Sequence, residues 1–295
     1  MNILTPSNEN EDFMEYQKGY DKNENNIISK DDFWYYNDKK FITNTHLGKI
    51  LKGGPQHLKA YYEKKEQKET DALIFGRAQH CLLFEPEMFN GRFYAIDDAE
   101  ICVEASGKHW KALGKNPRAT KLYKSWLSEL KAENTHRQEL SMVDMVSIKN
   151  MIDKAMSYKQ VREMVEAAHK REVIYHKEIK GINAKCKVDS INPTNFILDY
   201  KSTKDPGNLY NAPFIIKKYR YQRQASFYRD ITGVRSFWWI IQEKTYPYTV
   251  CLVEQSEDGY QEGCKEYELG LEMYRKHFID GKPEDIDNYL EIGMV

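Results

Sequence analysis

The richest chemistry in the chain lies in VDSINPTNFILDYKST, residues 188–203. Asp199 and Lys201 are two apart in a run whose other members, Phe196, Ile197 and Leu198, are apolar. That run reads as a β-strand, so the two polar side chains share one face while Leu198 and Tyr200 take the other. A buried strand carries such groups only with partners, because unpaired burial costs several kcal/mol. Asp189 ends the preceding strand, ten residues earlier, and the turn signal Asn192-Pro193-Thr194 folds it back beside Asp199. Converging carboxylates repel, and a hard divalent cation such as Mg²⁺ or Mn²⁺ removes that cost. Such an ion activates water and stabilises charge building on a phosphodiester, with a neighbouring lysine to orient the water or share that charge. Taken alone, Asp-x-Lys is more often a surface ion pair on an edge strand, worth under about 1 kcal/mol.

Two further patterns flank this segment. Gln224 and Tyr228, in QASFY, are four apart on a predicted helix over 214–231 and share one face of it. Upstream, Gly76 and His80, in GRAQH, lie on a predicted helix over 72–84. Alone, the first is common in helices, and a lone histidine is more often a packed or surface side chain.

In this order and on these elements, the three patterns resemble the PD-(D/E)XK nuclease superfamily. The likeness is to its RecB-like branch, and within it to the exonuclease VIII (RecE-type) enzymes of phage recombination systems. Asp189 with Asp199-x-Lys201 is similar to the nuclease core motif, Gln224-x-x-x-Tyr228 to QxxxY, and Gly76-x-x-x-His80 to GxxxH. GGPQHLKAYYE (53–63), LFEPEMFNGRFY (83–94) and the strand Phe237–Gln242 with its Glu243-Lys244 end extend the likeness over residues 41–285.

The resemblance implies that His80, Asp189, Asp199 and the backbone carbonyl of Tyr200 bind Mg²⁺ or Mn²⁺, and that Lys201 acts on the attacking water. Gln224 and Tyr228 would steady the site or the DNA backbone. Glu178, on the strand before Asp189, is either a ligand to a second metal or a surface partner of Lys180 or Lys187. The implied activity is metal-dependent digestion of linear double-stranded DNA from 5′ ends, leaving 3′ single strands, in phage or prophage recombination. The implied assembly is a homo-oligomeric ring, commonly a tetramer, working with a single-strand annealing protein. The competing readings are an endonuclease or single-strand-trimming RecB-like enzyme, a catalytically inactive DNA-binding protein on the same fold, and an unrelated α+β protein in which the motif is coincidence.

Charge patterning fits a polyanionic partner despite a net charge of −1. Residues 201–235 carry eight bases against two acids. Within them KKYRYQRQASFYRD (217–230) interleaves Lys217, Lys218, Arg220 and Arg223 with aromatic rings, and Lys204 stands just upstream. Such a segment contacts phosphates by charge and stacks on splayed bases. A second basic stretch, 108–131, reads equally as a solvated helix face. Nothing resembles a base-reading module, so sequence specificity should be low.

The elements that position these groups form an α+β architecture: a PD-(D/E)XK (restriction-endonuclease-like) core with a central mixed sheet flanked by helices, and a helical N-terminal half. Residues 1–40 read as a polar, mobile tail. Residues 41–295 read as a single domain, helical over 41–170, with the catalytic sheet and helices over 171–285. Strands are predicted over 172–180, 184–191, 196–201, 236–242 and 248–253, and a last helix over 258–278. Five cysteines without a CxxC pair argue against a disulfide framework, a zinc ribbon or an iron–sulfur cluster, and Cys186 reads as packing. With no secretory signal and no apolar run of about 20 residues, the expected location is the cytoplasm of a bacterium or phage-infected host, with no membrane partner.

Overall fold

The computed structural model describes residues 30–63, 70–97 and 116–290. Residues 1–29 of the expected tail lie outside them, as do Cys102 and Lys108, Lys111 and Lys115 of the second basic stretch. The described residues form two compact units, one within residues 70–153 and the other made of residues 31–63 with 154–290.

Among the described residues the first helices are α1 (Lys30–Asn37) and α2 (Asn44–Glu63). Helix α2 kinks at Gly54, whose φ of 73° suits a residue without a Cβ, and Pro55 restarts it. Its buried face carries His46, Leu47, Ile50 and Leu58.

The first unit is mainly helical. Helix α3 (Asp71–Phe84) holds Gly76 and His80. Its cap is Thr70, whose hydroxyl accepts from the Leu73 N–H at 3.4 Å, while Asp71 sits in the first turn, where negative charge suits the helix dipole. Then come α4 (Pro86–Arg92), β1 (Phe93–Ile96), α5 (Lys121–Glu133), β2 (Gln138–Ser141) and α6 (Met142–Ser157). Strands β1 and β2 pair in parallel, so a strand interrupts the region read as helix.

The second unit is built on a five-stranded sheet. Helix α7 (Lys159–Ala167) leads into β3 (Lys170–Ile179), β4 (Ile182–Asn192) and β5 (Phe196–Thr203). A crossover through α8 (Ala212–Tyr219) and α9 (Tyr221–Thr232) returns the chain to β6 (Ser236–Glu243), and β7 (Val250–Glu254) follows. The order is β3-β4-β5-β6-β7, with β5 and β6 parallel and the other pairs antiparallel. The sheet is therefore mixed, as expected. Helix α10 (Glu257–Tyr274) ends in a π turn over Arg275–Ile279, and α11 (Pro283–Asp287) closes the described chain.

One face of this sheet buries Ala184, Cys186, Val188, Ile197, Trp239 and Ile241 against Leu47, Ala225, Phe227, Tyr267 and Leu271. Cys186 is fully buried there, and burial pushes its thiol well above the usual range, in keeping with a packing role. Helices α9 and α10 approach closely because Gly263 offers no Cβ, which would collide with Ser226 and the Gln222 carbonyl. The single helix expected over 214–231 is divided. Arg220 takes a left-handed conformation, φ 57°, and its guanidinium binds Glu266 of α10 at 2.8 Å. Among the described residues no helix is long and apolar enough to cross a membrane.

Candidate active site

Strand β5 carries Asp199 and Lys201 at the centre of the sheet. Asp199 is 1% exposed, so its carboxylate needs partners within the protein. The Lys201 Nζ lies 3.0 and 2.8 Å from its two oxygens, and Gln224 Nε2 of α9 donates to Oδ1 at 3.0 Å. The expected sharing of one strand face is thus realised as direct contact. The Tyr221 ring adds a face 5.1 Å from the ammonium. Burial pulls the Lys201 pKa down, but Asp199 and then Asp189 outweigh it and hold the group above the ordinary lysine value. Lys201 is therefore a cation at neutral pH and cannot accept a proton there. Tyr200 points to the other face, where its hydroxyl donates to Gln242 at 2.8 Å.

The register explains how Asp189 joins this group. The β4–β5 ladder pairs Ile191 with Ile197 and Ser190 with Leu198, and the next positions are Asp189 and Asp199. There the ladder stops, and the Tyr200 N–H donates to the Asp189 side chain at 3.2 Å. On the other side of β4, Arg171↔Ser190 and Val173↔Val188 bracket a position that does not pair, Glu172 opposite Asp189. Glu172 has φ 53°, outside the strand region. Counted along the two ladders, Glu172, Asp189 and Asp199 fall at matching register positions of β3, β4 and β5. Ligand oxygens of Glu172 and Asp189 lie within 4.8 Å of each other.

Like charges facing across strands destabilise a sheet. Lys187 Nζ offsets part of this at Glu172, 2.7 Å away, as Lys201 does at Asp199. The carboxylates of Glu172 and Asp189 lie close enough to share one cation, and oxygen donors of this kind are those that hard divalent cations take. The residues present thus fit the metal that the fold implies.

The other expected residues are placed as follows. His80 is half-buried on α3 of the first unit, its ring edge-on to Phe84 at 6.2 Å. Tyr228 shares the α9 face of Gln224 but points into the core, hydrogen-bonded to Tyr35 and edge-on to Phe237. Burial, with the charges of Tyr35, Cys186, Asp199 and Asp189, raises its pKa well above the usual value. Glu178 is exposed near the far end of β3, paired with Asn183, and is not brought to Asp189. The acid at that position is Glu172.

The basic set is divided. Lys204 and Lys217 are exposed, and Lys218 lies 3.7 Å from Asp205 and over the Phe214 and Tyr219 rings. Arg220 and Arg223 both turn toward Glu266, and the Arg223 Nε also donates to Asn44 at 2.9 Å. These two arginines tie α9 to α10 and α2.

A mixed sheet with this strand at its centre and helices packed on its face defines the PD-(D/E)XK class of folds. The chain belongs to the family described as a PDDEXK-like domain of unknown function (DUF3799), which matches residues 45–278. Its fold is similar to the crystal structure of a presumed exonuclease from Eubacterium rectale, with a TM-score of 0.54 at 13% identity over 91% of this chain and 96% of that one. A phage-related exonuclease from Haemophilus somnus 129PT is also similar, with a TM-score of 0.29 at 13% identity over 61% of this chain and 94% of its own. No curated protein matches this chain.

Proposed function

We propose that this protein is a divalent-metal-dependent nuclease, and specifically an exodeoxyribonuclease on linear double-stranded DNA. The reading is supported by the matching register positions of Glu172, Asp189 and Asp199 on three adjacent strands, by the proximity of the first two, and by the contact of Lys201 with the last. In this reading Asp189, Asp199, Glu172 and the Tyr200 carbonyl hold Mg²⁺ or Mn²⁺, and the family resemblance adds the imidazole of His80. When bound, the cation supplies an acidified water and a Lewis acid for the phosphate. Lys201, held as an ammonium, orients the attacking water or shares the charge that develops on the phosphate. Gln224 is a positioning residue, fixing the rotamer of Asp199. Tyr228 supports the helix that carries Gln224, and Lys204, Lys217 and Lys218 contact the DNA backbone. Polarity from 5′ ends, a ring oligomer, an annealing-protein partner and a place in phage or prophage recombination rest on the resemblance.

The test uses end-labelled linear duplex DNA and the same DNA as a closed circle, each with Mg²⁺, Mn²⁺ or chelator. The expected result is metal-dependent degradation of the linear form alone. Asp199→Ala and Lys201→Ala should each lose at least about 100-fold in rate. Cleavage of circles would move the assignment to an endonuclease, and wild-type activity in Asp199→Ala would reject the site.

A further inference from the structure

Beyond the acidic row, β5 runs into a surface that combines cations with uncovered aromatic rings. Lys204 follows β5 three residues after Lys201, about 10 Å along an extended strand. The β6–β7 hairpin is tied to the same place: the Lys244 N–H donates to the Thr203 carbonyl at 2.8 Å. Gly207 locks the loop after β5 onto this hairpin. Its N–H donates to the Thr249 hydroxyl at 2.8 Å, and a Cβ there would collide with the Thr249 and Ile241 carbonyls. Two exposed segments are thereby tied to one junction. One presents Leu209, Tyr210 (92% exposed) and Phe214, and the other Tyr246 (85% exposed), edge-on to Tyr248.

We infer that this junction, formed by Lys204, Lys244, Tyr210 and Tyr246, is a binding surface for single-stranded DNA beside the acidic row. The inference rests on the nucleolytic reading above, since it names the form of substrate strand met next to that site. Two features select a polynucleotide strand. The ammonium groups of Lys204 and Lys244 are close enough that burial and Lys204 together lower the Lys244 pKa, a crowding that phosphate relieves. Bare tyrosine rings on segments that also carry lysines suit stacking on base faces, which an unpaired strand offers along its length and a closed duplex hides. The rings stand at the tips of a hairpin and a loop whose bases are fixed, so little ordering is required on binding.

The test is fluorescence anisotropy with the full chain in chelator, where cleavage plays no part. The probes are an oligothymidylate of about 16 nucleotides and a duplex closed by hairpins at both ends. Tyr210→Ala/Tyr246→Ala should weaken oligothymidylate binding by about tenfold or more and duplex binding by less than about twofold. Lys204→Gln/Lys244→Gln should flatten the salt dependence on the single strand by about two phosphates, a slope change near 1.4. Unchanged single-strand affinity in the tyrosine variant, equal loss on both probes, or no oligothymidylate binding by the wild type would each overturn the inference. If the wild type degrades no DNA but the variants lose single-strand affinity, the nucleolytic reading fails and the surface stands. If it degrades DNA while the variants bind normally, the surface fails and the nucleolytic reading stands.

Discussion

At the scale of the residue, the two lysines and three acids of the site balance unequally. Lys201 contacts both oxygens of Asp199, and Lys187 contacts Glu172, while Asp189 stands between the other two acids with the Tyr200 N–H as donor. Three carboxylates in one row are tolerable with two cations, and a bound divalent ion improves the balance further. Mg²⁺ or Mn²⁺ should therefore raise the stability of the wild type. The gain is about 2.7 kcal/mol at a metal concentration 100 times Kd, read as a shift in urea midpoint. Glu172→Gln keeps the shape and removes one charge. It should lower Mn²⁺ affinity, measured by titration calorimetry, by about tenfold or more, a scale that even outer-shell partners of a metal reach. Unaltered affinity would remove Glu172 from the ligand set. Tyr228→Phe tests a different role: losing only the bond to Tyr35 should cost about 1 kcal/mol of stability in urea unfolding and leave metal affinity unchanged.

Elements divide by how local their causes are. The Asp-x-Lys strand was legible because Asp199 and Lys201 interrupt an apolar run at period two, and its burial follows from that run. Glu172 was not legible, because its place depends on a turn. Strands read over 172–180 and 184–191 put the β3–β4 turn at 181–183 and hide it. The actual turn is the pair Lys180-Gly181, with φ values of 50° and 74°, which joins Ile179 to Ile182 and counts back to Glu172 opposite Asp189. A change of turn length shifts every cross-strand partner, so an acid could be expected on β3 but not placed. The break at Arg220 was hidden for a related reason: the partner its side chain meets there, Glu266, is 46 residues away. The same non-local logic governs Gly207, which carries no turn signature of positive φ yet has backbone of β6 and the β6–β7 loop against its α-carbon. Backbone cannot move aside as a flexible side chain does. Gly207→Ala should therefore cost about 1–3 kcal/mol in urea unfolding, whereas Gly233→Ala should be strained only by its φ of 77°, with open space around the site.

For the whole molecule, a net charge of −1 means that general repulsion contributes little to stability near neutral pH, so loss of stability on mild acidification has to come from particular groups. His46 is one. It is 8% exposed on α2, and its Nδ1 accepts from the Thr43 N–H at 3.2 Å. Burial, with the nearby Lys185 charge adding to it, lowers its pKa from the usual 6.5 to about 4. Lys185 is itself fully buried on β4, donating to the Trp34 and Asp38 carbonyls, and burial lowers its pKa to about 8 against the pull of Asp38. The two groups act in different pH ranges. Between about 8 and 10.5 the unfolded chain holds the Lys185 proton and the folded chain releases it, so that contribution to stability rises with pH in this window and is constant below it. Between about 4 and 6.5 the unfolded chain protonates His46 while the folded chain keeps it neutral, so stability falls as pH drops through this window. The full effect is about 3 kcal/mol, since each pKa unit is worth about 1.4 kcal/mol. Urea unfolding of the metal-free protein at several pH values from 7.5 to 4, compared with His46→Asn, isolates it, because the acidic row titrates in both proteins. The stability difference between wild type and variant should shrink, or change sign, by about 3 kcal/mol as pH falls from about 7 to 4. A difference that stays constant with pH would mean that the folded and unfolded chains protonate His46 alike, and would overturn the lowered pKa.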